Sequence, residues 1–171
     1  MMSELAQTDG VEGVMTRPEH RTGSDRLAEA VGILQWPDES IVVNLQGDEP
    51  LMPVGCLSAV VDALHQEPGA AAATLATPIV SMEEFRDPAC VKVVLDHEGR
   101  ALYFSRAPVP WPRDLWTAGG DCLSVERPWR HLGLYAYRAR TLRQFSRLPV
   151  GRLEKIESLE QLRLLENRMA I

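Results

Sequence analysis

The sequence has few cysteines, and none is placed for a disulfide frame or a metal site. Cys56, Cys90 and Cys122 are odd in number, lie far apart and include no CxxC pair. Such a set is typical of reduced thiols in a cytoplasmic protein. No Ser-His-Asp or Cys-His set indicates a nucleophilic enzyme, and no internal repeat is visible. With 171 residues, of which 45% are hydrophobic, the chain is expected to form a single domain with a real core.

Long apolar runs and an excess of positive charge are also missing. No run reaches membrane-spanning length, and the first residues have neither the basic nor the apolar region of a signal peptide. The formal charge of −6 argues against a nucleic-acid surface. We therefore expect a cytoplasmic protein without nucleic-acid or membrane partners. An anionic ligand would have to be bound by a local cluster of arginines.

The most informative stretch spans residues 41–50. Residues 41–45, Ile-Val-Val-Asn-Leu, are apolar and largely β-branched, which is typical of a strand buried in a parallel sheet. Gln46-Gly47-Asp48-Glu49-Pro50 then ends the strand. Because ligands bind outside the carboxyl ends of strands in an open α/β sheet, Asp48 and Glu49 are candidates for Mg²⁺ with its phosphates. An acidic turn without any ligand is the alternative.

The motif VNLQGDEP closely resembles the signature of the sugar-acid cytidylyltransferases, in particular the 3-deoxy-manno-octulosonate (Kdo) cytidylyltransferase family. Four further segments agree in the same order, so that the resemblance runs from about Met15 to Leu165. They are MTRPEHRTGSDRLAE, VKVVLDHEGRALYFSRAPVPW, RHLGLYAYR and LEKIESLEQLRLL. Proteins of this family also have a basic, glycine-bearing loop near their start and a DTPEDL-like segment near their end. Neither is present, so we expect a chain truncated at both ends.

The resemblance implies the fold class and the domain organisation. The class is α/β, a mixed, mainly parallel sheet flanked by helices, of the Rossmann-like nucleotide-diphospho-sugar transferase type. Residues 1–171 are expected to form one partial cytidylyltransferase domain. The proline-rich stretch 105–130 is predicted to be an extended arm that covers the substrate or reaches a partner subunit in a homodimer.

A predicted helix start carries the expected nucleotide site. Thr22 with Asp25 three residues later suits a capped N-terminus. A well-capped helix without a ligand is the simpler interpretation, while free N–H groups there also suit a base or a phosphate. The resemblance assigns five residues of this region to cytidine-nucleotide binding: His20, Thr22, Gly23, Ser24 and Arg26.

The expected sugar-acid site is spread over the later segments. The resemblance places His131 and Tyr135, on a predicted strand, and Glu160 and Gln161, on a predicted helix 153–165, at the sugar. A packed histidine and a solvated acidic helix face are the alternatives.

Catalytic groups and charge anchors are expected near the same sugar. Arg113 and Arg106 offer planar forks that match a carboxylate. Asp48 and Gln46 are the expected catalytic residues, with Asp48 as the metal ligand and Gln46 holding the sugar.

The implied reaction is transfer of a cytidylyl group from CTP to Kdo, which gives CMP-Kdo and pyrophosphate for lipopolysaccharide biosynthesis, with Mg²⁺ as cofactor. Because the phosphate loop is missing, we expect this chain alone to be inactive. Two alternatives remain open: a cytidylyltransferase for another sugar acid of the neuraminate type, or a truncated, non-catalytic homologue that only oligomerises or binds a partner.

Overall fold

The structure is a computed structural model that describes residues 13–20, 22–46, 51–113 and 127–171. The helices are α1 (Gly23–Ile33), α2 (Val54–Gln66), α3 (Met82–Arg86), α4 (Ala139–Phe145), α5 (Arg152–Glu157) and α6 (Leu162–Glu166). The strands are β1 (Ile41–Asn44), β2 (Ala72–Pro78), β3 (Lys92–Leu95), β4 (Ala101–Ser105) and β5 (Trp129–Arg138). In the described part of the chain, no helix is long and apolar enough to cross a membrane.

The long strand β5 pairs with three of the other four strands of the described sheet. Strand β2 pairs with it along one edge, and β1 and β3 share the other edge. Strand β4 pairs with β3 and completes the five-stranded sheet. Each of these four pairings is antiparallel, so β1, β2 and β3 run in one direction and β5 runs against them.

The α/β class with flanking helices is confirmed, but the expected mainly parallel pairing is not found among the described strands. Strand β1 pairs only with β5 in that part of the chain, and of its four residues only Val42 is buried. It therefore lies at an edge of the described sheet rather than at its centre. An apolar, β-branched run predicts a strand, but the direction of its neighbour depends on residues about 90 positions away, which no local pattern reports.

The core lies on both faces of the sheet, and the alternation along β5 shows this directly. Tyr135 and Tyr137 join the larger cluster with α1, α4 and α6, whereas Leu134 and Ala136 join a smaller cluster under α2. Val60 of α2 is fully buried there. Each large apolar side chain buried in this way contributes about 1.5–3 kcal/mol.

Helix α1 and the hairpin β3–β4 form where the sequence predicts them. The Thr22 hydroxyl accepts a hydrogen bond from the Asp25 amide at 3.2 Å, which is the expected N-cap. The hairpin loop turns at Gly99, whose φ of +81° is in the left-handed region that favours glycine.

The single helix predicted for residues 153–165 is wrong. The structure has two short helices there, α5 and α6, separated at Ser158, which has a φ of +54°. A non-glycine residue in this conformation ends the first helix. Glu160 and Gln161 consequently lie on the segment between the helices, not on a continuous helical face.

Candidate functional site

A cavity of about 680 Å³ opens on the sheet where β1 ends. Its walls come from four parts of the chain: the end of β1, α3 with the loop that follows it, the first half of β5, and the segment before α6. Five of the residues predicted for the site line it: Gln46, His131, Tyr135, Glu160 and Gln161. The structure thus brings together groups that are up to 115 positions apart in sequence.

Gln46 lies over β5, at a position where the strand has no side chain. A Cβ atom at Gly133 would be 3.9 Å from Cγ of Gln46, which is an ordinary van der Waals distance. Both residues line the cavity. The exposed amide of Gln46 is therefore available to donate or accept a hydrogen bond near His131 and Tyr135.

His131 has a defined partner and is held neutral. Its Nε2 is 3.0 Å from Oγ1 of Thr74 on the neighbouring strand β2. The ring meets Phe104 edge-on, with the ring centroids 5.1 Å apart, and lies 5.3 Å from the ring of Tyr135. Burial lowers the pKa of His131 from 6.5 to about 4, so its imidazole is uncharged at neutral pH.

Tyr135 presents a buried phenol beside this histidine. Its ring stacks on Tyr137 with centroids 5.4 Å apart. Its buried hydroxyl makes no hydrogen bond of normal geometry within the described residues, although the hydroxyl of Thr74 is near enough to lower its pKa slightly. Burial is the main cause that raises the pKa of Tyr135 well above 10. The hydroxyl is thus a neutral donor and acceptor at physiological pH.

Glu160 is a half-buried carboxyl whose Oε2 also has no hydrogen-bond partner among the described residues. Burial raises its pKa, although the hydroxyls of Thr22 and Ser24 act in the opposite direction. Gln161 is 5% exposed and lies next to it in the cavity wall. A carboxyl that burial disfavours as an anion is stabilised when a ligand hydroxyl donates to it.

Unsatisfied buried polar atoms gather where β1, β5 and α1 meet. Besides the Tyr135 hydroxyl and Glu160 Oε2, Oγ of Ser24 and Nδ2 of Asn44 are buried without a hydrogen bond of normal geometry in the described part of the protein. The Ser24 hydroxyl is nevertheless near enough to lower the pKa of Glu160. Asn44 pairs with Tyr135 across the sheet. Buried polar groups are normally hydrogen-bonded, so such a cluster indicates a place where a ligand or water completes the bonding.

The predicted nucleotide residues lie at the start of α1. Thr22 is the N-cap, Gly23 is the first helical residue with open space where a Cβ would be, and Ser24 is buried. Arg26 donates from Nη1 to the Thr16 hydroxyl at 3.2 Å and to the Arg17 carbonyl at 3.3 Å, so it holds the preceding loop.

His20 precedes this helix start and bonds to Glu29, a residue of α1. It lines a separate surface depression with Arg17 and Glu19, away from the cavity. The nucleotide roles of these five residues stay predictions.

The two arginines predicted to anchor the carboxylate do not line the cavity. Arg106 donates from Nε to the carbonyl of Glu157 at 2.8 Å and from Nη1 to the carbonyl of Pro88 at 2.9 Å. Arg113 is exposed at the edge of the described part of the arm. The guanidinium of Arg106 therefore holds the arm to two backbone carbonyls, and its role as a substrate anchor stays a prediction.

Asp48, the predicted metal ligand, lies outside the described residues. Among the residues that are described, no group of three or more His, Cys, Asp or Glu side chains could hold a metal ion. The Mg²⁺ prediction therefore depends on Asp48 and on groups beyond the described ranges.

Three residues near the cavity were not predicted. Thr74 contacts His131. Arg130 lines the cavity and is 2.8 Å from Glu84. Lys92 is fully buried and donates from Nζ to the carbonyls of Asp87, Cys90 and Arg106 at 2.9, 2.5 and 2.7 Å. The sequence does carry a signal for Lys92, which lies within the apolar run 91–95. A charged residue inside a predicted strand needs buried partners.

The comparisons with known proteins show which family the chain belongs to. The model of a protein family described as cytidylyltransferase matches residues 2–171. The chain belongs to the cytidylyltransferase family. It is 53% identical over 163 residues to the 3-deoxy-manno-octulosonate cytidylyltransferase of Halorhodospira halophila, covering 95% of this chain and 63% of that relative. It is 49% identical to the protein of the same name from Xanthomonas oryzae pv. oryzae, covering 95% and 62%.

A solved structure is similar over almost the whole of this cytidylyltransferase chain. It is that of a CMP:2-keto-3-deoxy-manno-octonic acid synthetase complexed with CTP, with a TM-score of 0.86 and 37% sequence identity. The match covers 99% of this chain and 65% of the other. The chain thus spans a little under two thirds of the length of these relatives. The resemblance stated from the sequence motifs is confirmed at the level of the family.

Proposed function

We propose that this cytidylyltransferase chain takes part in transfer of a cytidylyl group from CTP to 3-deoxy-manno-octulosonate, with release of pyrophosphate. The observation that carries the proposal is the convergence of Gln46, His131, Tyr135, Glu160 and Gln161 on one cavity. These side chains are neutral at physiological pH or have a reduced tendency to ionise, and they offer both donors and acceptors. A polyhydroxylated sugar acid is the class of ligand that such a wall suits.

The chemistry needs positioning more than covalent help. The anomeric hydroxyl of the sugar acid attacks the α-phosphorus of CTP in line, the bond to the bridging oxygen breaks, and pyrophosphate leaves. Holding the two reactants in this geometry and neutralising the phosphate charge supply the rate enhancement. We assign Gln46 to the sugar because its amide is exposed at the end of β1, beside the cavity.

The hydroxyls of the sugar are assigned to the opposite wall. Glu160 and Gln161 lie together between α5 and α6, and the unpartnered Oε2 of Glu160 is an acceptor for a ligand hydroxyl. The hydroxyl of Tyr135 provides a further group from β5. Each hydrogen bond completed in this buried setting recovers part of the roughly 1–3 kcal/mol that an unsatisfied group costs.

The carboxylate of the sugar acid requires a cation. Arg130 is the only arginine or lysine among the described residues that line the cavity. It is 45% exposed and pairs with Glu84, so its guanidinium lies at the mouth of the cavity rather than deep inside. We propose Arg130 as the carboxylate anchor in place of Arg106, and we retain Arg113 as a second candidate on the arm.

The cytidine nucleotide is assigned to the start of α1. An 11-residue helix has free N–H groups at its start, next to the Thr22 cap, and Ser24 adds a buried hydroxyl that makes no hydrogen bond of normal geometry in the described chain. Thr22 and Ser24 also influence the pKa of Glu160, so the proposed nucleotide and sugar sites adjoin. That proximity is what a direct transfer between the two substrates requires.

We propose Mg²⁺ as the cofactor, held through Asp48. This residue follows Gln46 by two positions, and Gln46 lines the cavity. When bound, the ion would neutralise phosphate charge and orient the triphosphate. Cytoplasmic localisation, a role in lipopolysaccharide biosynthesis and homodimerisation through the arm 105–130 belong to the same proposal. Sedimentation velocity at micromolar concentration tests the dimer, and a folded monomer there counts against it.

The test of the function is pyrophosphate release with CTP, Kdo and Mg²⁺. We would measure it on this chain and on a chimaera in which the chain replaces the 163 matching residues of the Halorhodospira halophila relative. The expected result is turnover in the chimaera that depends on Kdo and is not supported by neuraminate. Turnover with neuraminate alone favours the neuraminate type. A folded chimaera that binds neither substrate favours the non-catalytic alternative.

A matched pair of glutamine variants makes this test specific to the cavity. Gln46→Ala in the chimaera should lower Kdo-dependent turnover by about tenfold or more, because one or two hydrogen bonds to the sugar are lost. Gln66→Ala, in an exposed glutamine at the end of α2 that does not line the cavity, should leave turnover unchanged. Equal losses in the two variants would contradict the assignment of Gln46.

A further inference from the structure

The pairing of β2 with β5 is interrupted beside the cavity. Thr74 pairs with Tyr135, whereas the next residue of β2 pairs with Leu132, so two residues of β5 have no partner at this bulge. The side chain of Thr74 lies at this bulge. Its Oγ1 is 3.1 Å from the carbonyl oxygen of Leu132 and 2.8 Å from that of Leu134. The threonine hydroxyl is therefore fixed by the backbone of the bulge.

This arrangement determines which nitrogen of His131 carries the proton. A hydroxyl has one hydrogen, and carbonyl oxygens only accept, so Thr74 donates its hydrogen to the bulge. The threonine oxygen has two lone pairs left for its other neighbours, which are the hydroxyl of Tyr135 and Nε2 of His131 at 3.0 Å, so toward Nε2 it accepts. Nε2 is then the protonated nitrogen. A neutral imidazole has a single N–H, so Nδ1 has a free lone pair.

The surroundings of the ring keep this state in place. Burial lowers the pKa of His131 to about 4, and protonation of Nδ1 is therefore disfavoured at neutral pH. The edge-on contact with Phe104 restricts rotation of the ring. Nδ1 makes no hydrogen bond to any residue in the described part of the chain, and the ring itself lines the cavity.

We propose that Thr74 is a positioning residue that holds His131 as the Nε2–H tautomer, so that Nδ1 accepts a hydrogen bond from a hydroxyl of the sugar acid. A lone pair at this point favours a hydroxyl and disfavours the oxygens of a carboxylate or a phosphate. The neutral histidine thus helps to orient the sugar with a hydroxyl, not its carboxylate, against β5. The ligand half of this proposal rests on the proposed function, whereas the tautomer half does not.

The experiment for the tautomer uses the 171-residue chain without ligand. Long-range ¹H–¹⁵N correlation spectra of ¹⁵N-labelled protein identify the protonated nitrogen of a neutral imidazole. The wild type and Thr74→Ser, which keeps the hydroxyl, should both show His131 as Nε2–H. Thr74→Val should show a mixture of tautomers or the Nδ1–H form. Thr77→Val is the matched control, because Thr77 lies on the same strand but pairs with Arg130.

A purely structural role of the hydroxyl, limited to satisfying the bulge carbonyls, predicts a different result. Thr74→Val would then lower the melting temperature but leave the tautomer unchanged. An unchanged tautomer in folded Thr74→Val therefore overturns the proposal, and so does an Nδ1–H signal in the wild type. If Thr74→Val does not fold, Thr74→Ala supplies the variant without a hydroxyl.

The ligand half is tested by titration of Kdo, followed through the same His131 resonances and through KM in the chimaera. Loss of one neutral hydrogen bond should weaken Kdo binding in Thr74→Val about three- to tenfold and leave KM for CTP unchanged. Thr74→Ser should restore the affinity. A changed tautomer with unchanged Kdo affinity overturns the role of Nδ1. If the wild type binds no Kdo, the proposed function fails, while the spectra still decide the tautomer.

Discussion

Arg163 donates from Nε and Nη2 to the two carboxylate oxygens of Glu154, at 2.7 and 2.5 Å, in a pair that is almost completely buried. Oε2 of Glu154 also accepts from the amide of Gly151 at 3.2 Å. The guanidinium carbon lies 4.1 Å from the centroid of the Phe145 ring. The pair therefore joins α5 to α6 across the break at Ser158 and fixes the segment that carries Glu160 and Gln161.

We expect Arg163→Met to destabilise the protein by about 3–5 kcal/mol, because it leaves the Glu154 carboxylate buried without its partner. Urea unfolding of the 171-residue chain measures this. Glu154→Gln combined with Arg163→Met should recover part of the loss, since both charges are then removed. Arg140→Met is the control: Arg140 pairs with Glu39 at an exposed position, where a pair contributes at most about 1 kcal/mol. Equal costs for the two arginine variants would show that burial of the Glu154 pair is unimportant.

Glu160 illustrates a conflict between stability and binding. Burial raises the pKa of Glu160 in the folded protein above its value in the unfolded chain. At pH values above the unfolded pKa, the ionised carboxylate therefore destabilises the folded state. Glu160→Gln should therefore leave the protein as stable at pH 7 or make it more stable, by about 1 kcal/mol, and should weaken Kdo binding. Thermal unfolding with and without Kdo measures both effects. Glu166→Gln, on the exposed end of α6, is the control. A clear loss of stability in Glu160→Gln would contradict the assignment of the carboxyl to a ligand.

The elements that the sequence predicts correctly are those whose formation depends on neighbouring residues. The N-cap at Thr22 and the hairpin turn at Gly99 need only a few adjacent positions, and both are found. The direction of β1 against β5 and the break at Ser158 depend on distant packing. Helical spacing across residues 153–165 predicts one helix, but the buried pair of Arg163 and Glu154 stabilises two helices folded against each other.

The candidate site shows the same division. The family resemblance pointed to His131 and Glu160, and both line the cavity, while their roles stay predictions. Thr74 was missed because a threonine in a predicted strand is ordinary, and its role depends on a bulge in the partner strand. The contacts of Arg106 were not predicted either, because the carbonyls that bind it belong to Pro88 and Glu157, which the sequence does not place near the arm.

Lys92 was not among the predicted site residues, but its contacts lead to a further prediction. Its ammonium group satisfies three backbone carbonyls that belong to the loop after α3 and to the start of the arm. Lys92→Met should cost roughly 3 kcal/mol or more, because buried carbonyls lose a charged donor. The chain's other lysine, Lys155, is exposed on α5, so Lys155→Met is the matched control.

The same contrast should appear in chemical modification. An amine-reactive acylating reagent should modify Lys155 and spare Lys92 in the folded chain, because Lys92 is fully buried and burial is the main cause that lowers its pKa. Peptide mass spectrometry measures both sites in one sample. Similar labelling of the two lysines would mean that the loop of residues 87–90 opens readily, and the cavity wall would then not be preformed.

The last prediction concerns acid. His131 has a pKa of about 4 in the folded protein against about 6.5 in the unfolded chain, so the unfolded state binds the proton more strongly. Its contribution to the free energy of unfolding is unchanged above pH 6.5, falls as the pH drops from 6.5 to 4, and levels off below 4. The slope is at most about 1.4 kcal/mol per pH unit, which gives a loss of up to about 3 kcal/mol across the window.

His131→Gln cannot bind this proton, so the difference in stability between wild type and variant should shrink as the pH falls. Urea unfolding at half-unit steps from pH 7 to 4 measures that difference. The control is His97→Gln on the exposed hairpin loop, in which the acid-dependent loss should persist. If the difference in the free energy of unfolding between wild type and His131→Gln does not depend on pH, the imidazole is not buried in its neutral form. The proposal that His131 accepts a hydrogen bond from the sugar would then lose its basis.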